Sequence, residues 1–299
     1  MSTHTFLSQI YNGDQLVADG ATGTNLIARG LPVGVTAETW VLEQPGKIIQ
    51  LHKDFISAGA DIILTCTFGA SSIRLKGSVL EGKSNEINQR AVDLAREAAK
   101  ASQTYVAGSI GPLGQLLKPL GPLSVDEVFE SYAAQARSLT KAGVDLLVIE
   151  TQFDMGEIKA AIQGTRSVSG LPLVVSLSYD RGRRTMMGVS PSQAGKDLEA
   201  LPVDVIGINC GRSLDENLQN LVELRKITKK PIWFKPNAGL PQLDGHGVTV
   251  YETTPVIMGS QVQAWIDAGA QIVGGCCGTS PNHLKEISKS INKQGLRSL

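Results

Sequence analysis

Four cysteines occur in the 299 residues, and three of them share a setting that the fourth lacks. Cys210 closes the phrase Ile206-Gly-Ile-Asn-Cys-Gly211, and Cys276 and Cys277 stand side by side in Gly274-Gly-Cys-Cys-Gly-Thr-Ser280. Four cysteines are too few for a disulfide framework in a chain of this length, and neighbouring cysteines rarely bond to each other because the geometry is strained. Three thiolates aimed at one point suit zinc, which is tetrahedral and takes sulfur at about 2.3 Å. Three protein sulfurs leave one position open, the pattern of a catalytic rather than a structural centre. The competing reading is three small buried hydrophobes, since free cysteine is among the most buried residue types. Placement at matching ends of apolar runs, flanked by glycines, favours the metal. Cys66, in Thr65-Cys-Thr-Phe68, has no such company and reads as a core or loop thiol.

Two carboxylates share this position. Asp19 ends an apolar run in Val17-Ala-Asp-Gly-Ala-Thr-Gly23, and Glu150 ends another in Leu147-Val-Ile-Glu-Thr151. An acid at the end of an apolar strand needs a partner or a ligand. A helix N-terminus could satisfy Asp19, and an arginine could satisfy Glu150. A common place at one mouth makes both candidate functional groups.

These residues need a scaffold that brings distant chain ends together, and the apolar runs supply one. They are Leu16–Asp19, Asp61–Thr65, Tyr105–Gly108, Val144–Glu150, Pro172–Leu177, Val203–Asn209, Pro231–Lys235 and Gln271–Gly275. Eight runs recur at the spacing of βα units, and continuous rather than alternating apolar strands mean burial on both faces, as in a parallel sheet. The stretches between them read as helices. Ser84–Ala101 sets Ile87, Ala91, Leu94, Ala95 and Ala98 on one stripe. Ser124–Ala142 opens on a capping box, Ser124 with Glu127. The phrases SAGADIIL, KAGVDLLV and DAGAQIVG put Gly59, Gly143 and Gly269 where a helix ends in a left-handed residue before a strand. No Gly-x-Gly-x-x-Gly follows the first run, which weakens a dinucleotide-binding sheet. The expected fold is α/β, a single (β/α)8 TIM barrel, with residues 1–299 as one domain.

On that fold Cys210, two βα units before Cys276, shares its end of the barrel, and so do Asp19 and Glu150. For Cys276 and Cys277 to face one point the strand must break there, and Gly274, Gly275 and Gly278 supply the freedom. Two long connections, Gly111–Pro122 and Asn237–Pro255, follow strands on the same face. Trp40, His246 and Tyr251 are candidates for a second-substrate side, against a plain reading as packing or loop.

Composition narrows the partners. Lys and Arg number 28 against 28 Asp and Glu, with a sequence pI near 6.9, so no basic face offers itself to nucleic acid. No apolar run approaches a membrane span, and Met1–Asp14 lacks the layout of a signal peptide. A cytoplasmic protein is expected.

Taken together, Asp19-Gly-Ala-Thr-Gly23, Thr65-Cys-Thr-Phe68, Glu150-Thr151, Gly207-Ile-Asn-Cys210 and Gly274-Gly-Cys-Cys-Gly-Thr279 resemble the homocysteine S-methyltransferase family over nearly the whole chain. The resemblance implies a zinc-dependent (β/α)8 barrel that methylates the thiolate of L-homocysteine to give methionine. It implies that Cys210, Cys276 and Cys277 are the zinc ligands and that Asp19 and Glu150 hold the substrate's α-ammonium. Backbone amides around Gly20–Ala21 and Thr65–Thr67 would receive its carboxylate. The phrase Lys235-Pro-Asn-Ala-Gly239 resembles the cobalamin-dependent methionine synthase branch, which implies Asn237 as a ligand of the zinc before substrate arrives. The donor stays open among a corrinoid partner protein carrying methylcobalamin, S-methylmethionine or another sulfonium, and a betaine. The barrel nearly exhausts the chain, leaving no expected room for folate or cobalamin domains. Two alternatives remain: the same zinc barrel acting on another small thiol, and a non-catalytic zinc-dependent binding barrel.

Overall fold

A computed structural model of the chain describes residues 5–243, 245 and 249–292, so His246 lies outside the described residues. Eight parallel strands form the centre: β1 (Leu16–Val17), β2 (Ile62–Leu64), β3 (Tyr105–Ile110), β4 (Leu146–Gln152), β5 (Leu173–Leu177), β6 (Val205–Cys210), β7 (Ile232–Pro236) and β8 (Ile272–Val273). Each pairs with the next in the chain from β2 to β8, and β8 pairs with β1. The seam between β1 and β2 is closed by a parallel bridge from Ala18 to Ile62. There the Asp19 amide donates to the Ile62 carbonyl at 2.9 Å, and the Asp61 amide to the Val17 carbonyl at 2.8 Å. The arrangement is the expected (β/α)8 barrel, with every expected strand present.

The helical punctuation follows the sequence. Ser124 caps the helix Val125–Ala142 in a reciprocal box with Glu127. Gly59, Gly143 and Gly269 take φ values of 103°, 95° and 99°, left-handed residues ending the helix before β2, β4 and β8. A short antiparallel hairpin, Gln242–Leu243 with Thr249–Val250, decorates the connection after β7. Among the described residues no helix is long and apolar enough to cross a membrane.

Two apolar cores follow from the two faces of the strands. Outward side chains such as Ile63, Val106, Leu147 and Ile149 join the helices in the larger one. Inward side chains, including Ile62, Leu64, Ala107, Leu146, Val148, Val174, Val205, Trp233 and Ile272, fill the barrel itself. The opening helix Phe6–Tyr11 caps the amino-terminal end of that interior with Phe6 and Ile10, and Phe6 meets Tyr105 edge-on at 5.8 Å. Strand side chains alternate, so two residues beyond the inward Ala107, Val148, Val174 and Trp233 the chain again points inward. Those positions are Ser109, Glu150, Ser176 and Lys235, all buried, and Asn209 lies four beyond Val205 on the same face. The apolar plug is thus capped, at the carboxyl ends of the strands, by one polar layer.

Candidate functional site

The three cysteines singled out in the sequence converge on this layer. Their sulfurs all lie within 4.8 Å of one another, and those of Cys210 and Cys276 are 3.0 Å apart. Local backbone makes the convergence. Strand β8 ends at Val273, and Cys276 and Cys277 occupy the loop beyond it, released from strand alternation. Gly278 has a φ of 81°, and a Cβ there would meet the Tyr251 ring at 2.4 Å. Cys210 itself takes a φ of 60°, as does Thr151 at the end of β4. Positive φ in a non-glycine residue, and above all in a β-branched one, is costly and concentrates at functional sites.

Neighbouring backbone pins these loops. The Asn237 amide donates to the Cys210 carbonyl at 3.2 Å, the Ala238 amide to the Cys277 carbonyl at 2.9 Å, and the Cys276 amide to the Pro236 carbonyl at 2.9 Å. One side chain ties the strained residues together. Asn209 accepts from Ser176 Oγ at 2.7 Å and from the Thr151 amide at 2.9 Å, and donates to Thr151 Oγ1 at 2.7 Å. Its Nδ2 also faces the sulfurs of Cys210 and Cys276 at 3.4 and 3.9 Å.

The electrostatics of the thiols are those of a ligand cluster. Hydrogen bonds from Cys210 and then Cys276 pull the Cys277 thiol down to about 3. The same contacts, with Cys276 first and Cys277 second, hold the Cys210 thiol well above the ordinary range. For Cys276 the bond with Cys210 favours the thiolate, but the bond to Cys277, burial and the Cys277 charge outweigh it and push the group up to about 12. The close contact of the three sulfurs thus favours the thiolate at Cys277 over its two neighbours. A divalent ion such as zinc would be satisfied by that donor set, which would hold it as thiolates. A further donor is present: Asn237 spends its Nδ2 on the Gly211 carbonyl at 2.7 Å, while its buried Oδ1 has no hydrogen-bond partner among the described residues. The residues fit the metal. Cys66, by contrast, is a core thiol beside Glu38, raised by burial.

The acids lie beside the cluster. Glu150 accepts from Ser109 Oγ at 2.5 Å, and its carboxyl is pushed up to about 7, mainly by burial, with Lys235 opposing. Asp19 accepts from the Leu64 amide at 2.8 Å and from Lys235 Nζ at 2.6 Å, in an ion pair buried at both ends. Burial raises the Asp19 carboxyl, and Lys235 opposes it. For Lys235 the balance runs the other way: burial works against the ammonium, but Asp19 and Glu150 outweigh it and hold the group protonated. The helix that follows Asp19 has Ala21 at its N-cap and no side-chain cap, so Asp19 does not serve that helix. Gly20 lies under Phe55 and Thr279, where a Cβ would meet Phe55 at 2.7 Å. Thr65 Oγ1 lies 2.7 Å from Thr67 Oγ1 and accepts from the Ser109 amide at 3.1 Å. Of the amides in Gly20–Ala21 and Thr65–Thr67, three are already donated: Ala21 to Thr279, Thr65 to the Ala107 carbonyl, and Thr67 to the Thr65 carbonyl. Trp40 is buried in the helix–strand core, as packing would have it, whereas Tyr251 lies over Gly278 next to the cysteine loop.

Sequence reasoning passed over Ser109, Ser176, Asn209 and Lys235. The signal was there: each is a polar residue at an even spacing beyond an apolar residue of its own strand, at the end where the cysteines and acids gather.

A family model described as homocysteine S-methyltransferase matches residues 16–291. The chain belongs to the homocysteine S-methyltransferase family. It is 31% identical over 293 residues to a methionine synthase of Mycobacterium leprae and 29% identical over 304 residues to that of Mycobacterium tuberculosis. These matches cover 92% and 96% of this chain but 24% and 25% of the relatives, so the chain spans about a quarter of the curated relatives' length. Among solved structures, the metallated form of the homocysteine methyltransferase MmuM from Escherichia coli superposes with a TM-score of 0.80 at 25% identity, covering 94% of this chain and 98% of that one. The oxidised form of the same enzyme gives 0.81, also at 25%. A 3-dehydroquinate dehydratase from Geobacillus kaustophilus, at 16% identity and a TM-score of 0.52, shares the barrel alone.

Proposed function

We propose that this chain is a zinc-dependent methyltransferase that moves a methyl group to the thiol of L-homocysteine, yielding methionine, with residues 1–299 as the homocysteine-binding domain. The observation that carries the reading is the convergence of Cys210, Cys276 and Cys277 beside a buried, charged layer in a chain of this family. Cys210, Cys276 and Cys277 would hold the ion, with Asn237 Oδ1 as a further ligand while substrate is absent. Zinc in that position supplies the Lewis acidity that keeps a substrate thiol deprotonated at neutral pH, where a free thiol is only a few per cent ionised.

The remaining work belongs to the chain's own residues. Glu150, held by Ser109, receives the substrate's α-ammonium, aided by Asp19. Fixing the amino acid end turns attack on the methyl donor into an encounter of oriented groups. Asn209 keeps Thr151 and Cys210 in their strained conformations, so the sulfurs are preorganised. The donor is methylcobalamin on a separate corrinoid protein, a sulfonium such as S-methylmethionine, or a betaine; the Pro-Asn-Ala-Gly phrase favours the corrinoid protein.

The test is metal analysis of freshly reduced protein, followed by homocysteine methylation with each donor offered separately. The reading expects about one zinc per chain and methionine from one donor, with both lost in Cys210→Ser, Cys276→Ser and Cys277→Ser but kept in Cys66→Ser. Full activity in metal-free protein would refute it.

A further inference from the structure

Glu150 owes its aim to an irregularity in its own strand. Ile149 of β4 pairs with Val175 of β5 and Gln152 with Leu177, so β4 advances three residues where β5 advances two. The extra residue is a bulge at Glu150 and Thr151, where Thr151 takes its positive φ. Bulges re-aim side chains and recur beside active sites. This one breaks the alternation of the strand. Ile149 faces outward into the helix–strand core, and Glu150 faces inward to Ser109. Regular alternation would turn Gln152 inward as well, but Gln152 reaches out to Tyr132 on the helix Val125–Ala142.

The bulge is held from both sides. On the inner side Asn209 binds Thr151. On the outer side the clamp is Tyr132. Its hydroxyl has one proton to give, and Glu157 Oε1 accepts it at 2.8 Å. Glu157 is fixed in turn by the Leu113 amide, also at 2.8 Å. The Tyr132 oxygen is thereby left as an acceptor. Gln152 Nε2 donates to it at 3.0 Å and lies 3.4 Å from the Glu150 carbonyl. Tyr132, Gln152 and Glu157 are all buried, and Gln152 Oε1 has no hydrogen-bond partner among the described residues. A buried amide with an orphaned carbonyl costs stability, and a methionine of the same length would fill the space without that cost. What the glutamine adds is the bond from its Nε2.

We propose that Tyr132, acting through Gln152, is a positioning residue for the substrate's ammonium: the pair fixes the β4 bulge that aims Glu150 at the barrel mouth. This rests on the reading of Glu150 as the ammonium site. Neither residue touches the substrate, and both act on it by setting the direction of one carboxylate.

The test is calorimetric binding to zinc-loaded protein of L-homocysteine and of 4-mercaptobutyrate, the same thiol acid without the amine. Wild-type protein is expected to prefer homocysteine, and Glu150→Gln to lose most of that preference. Tyr132→Phe and Gln152→Met should each weaken homocysteine by about 3- to 10-fold, the net worth of about one hydrogen bond, while binding 4-mercaptobutyrate within about twofold of wild type. Zinc content should stay at the wild-type value. The double variant should lose no more preference than Gln152→Met alone, because the hydroxyl acts through the amide. Gln152→Met removes the orphaned carbonyl, so it carries the test if Tyr132→Phe does not fold. Equal weakening of both thiols, or an unchanged preference in these variants where Glu150→Gln loses it, overturns the proposal and reduces Tyr132 to packing. A wild type without the preference, or Glu150→Gln protein that keeps it, removes the reading of Glu150 itself and the proposal with it.

Discussion

Asn209 makes the sharpest test of how the proposed metal centre is held. Its side chain is fully buried and makes three short hydrogen bonds, one with Ser176 and two with Thr151, at 2.7 to 2.9 Å. Asn209→Ala removes all three. At about 1 kcal/mol net for each bond the loss is about 3 kcal/mol. Thr151 and Cys210 would then relax from their positive φ, returning part of the strain of about 1–3 kcal/mol that each stores. The net destabilisation should be about 2 kcal/mol, or roughly 4–8 °C in Tm for a domain of this size. The larger effect should be on the metal. With Cys210 free to turn, the three sulfurs lose their common focus, and zinc affinity should fall about 10- to 100-fold, the usual consequence of losing a group that orients a ligand. Competition for zinc against a coloured chelator, under reducing and oxygen-free conditions, measures this directly. Ser176→Ala is the control, since it deletes one of the same bonds without touching Thr151 or a sulfur, and it should keep zinc affinity within about threefold. Folded Asn209→Ala protein with wild-type affinity would refute the argument, and so would an equal loss in Ser176→Ala.

Two other outcomes follow from the same geometry. Gly278→Ala combines a φ of 81° with a Cβ placed 2.4 Å from the Tyr251 ring, so it should cost at least about 1–2 kcal/mol, read as a lower Tm; pairing it with Tyr251→Ala should recover only the part due to the clash. Glu150 has its folded pKa raised to about 7, chiefly by burial, from an ordinary 4.5. The folded state then holds the proton longer than the unfolded one, so this group's contribution is full below about pH 4.5 and is lost as pH rises through 7. In chelator-treated protein, Glu150→Gln should remove that loss and make the variant more stable than wild type at pH 8, by up to about 3 kcal/mol. Denaturant unfolding at pH 5 and pH 8 checks the sign, and a wild type that gains stability relative to the variant between those values would contradict it.

The barrel was legible because its strands are buried on both faces and its helices end on glycines with a fixed role. A run such as Val144–Glu150 cannot be stable as an exposed strand, and Gly59, Gly143 and Gly269 all adopt the left-handed φ that their position demands. The cysteines were legible for a different reason: thiols have few uses at strand ends, and the glycine-rich phrase around Cys276 and Cys277 has few uses at all. Ser109, Ser176 and Asn209 were not read, because serine and asparagine at a strand end are ordinary residues and nothing in one strand tells which way it faces. Only the closed register, which places Ser109 beside Glu150 and Asn209 beside Thr151, makes them parts of one layer.

Lys235 exposes the limit most clearly. In sequence it is the last residue of an apolar run, where a lysine is expected to reach for solvent, and its motif drew attention to Asn237 instead. In the folded chain the period-two alternation that puts Trp233 inside the barrel also puts Lys235 inside, and the pairing of β1 with β8, and of β8 with β7, brings Asp19 to within 2.6 Å of it across 216 residues. A lysine committed to such a place cannot be exchanged for methionine and leave Asp19 unaffected, nor for glutamate without adding a third buried acid beside Glu150. The charge of the layer is therefore a collective property, set by Asp19, Glu150 and Lys235 together beside the three thiols.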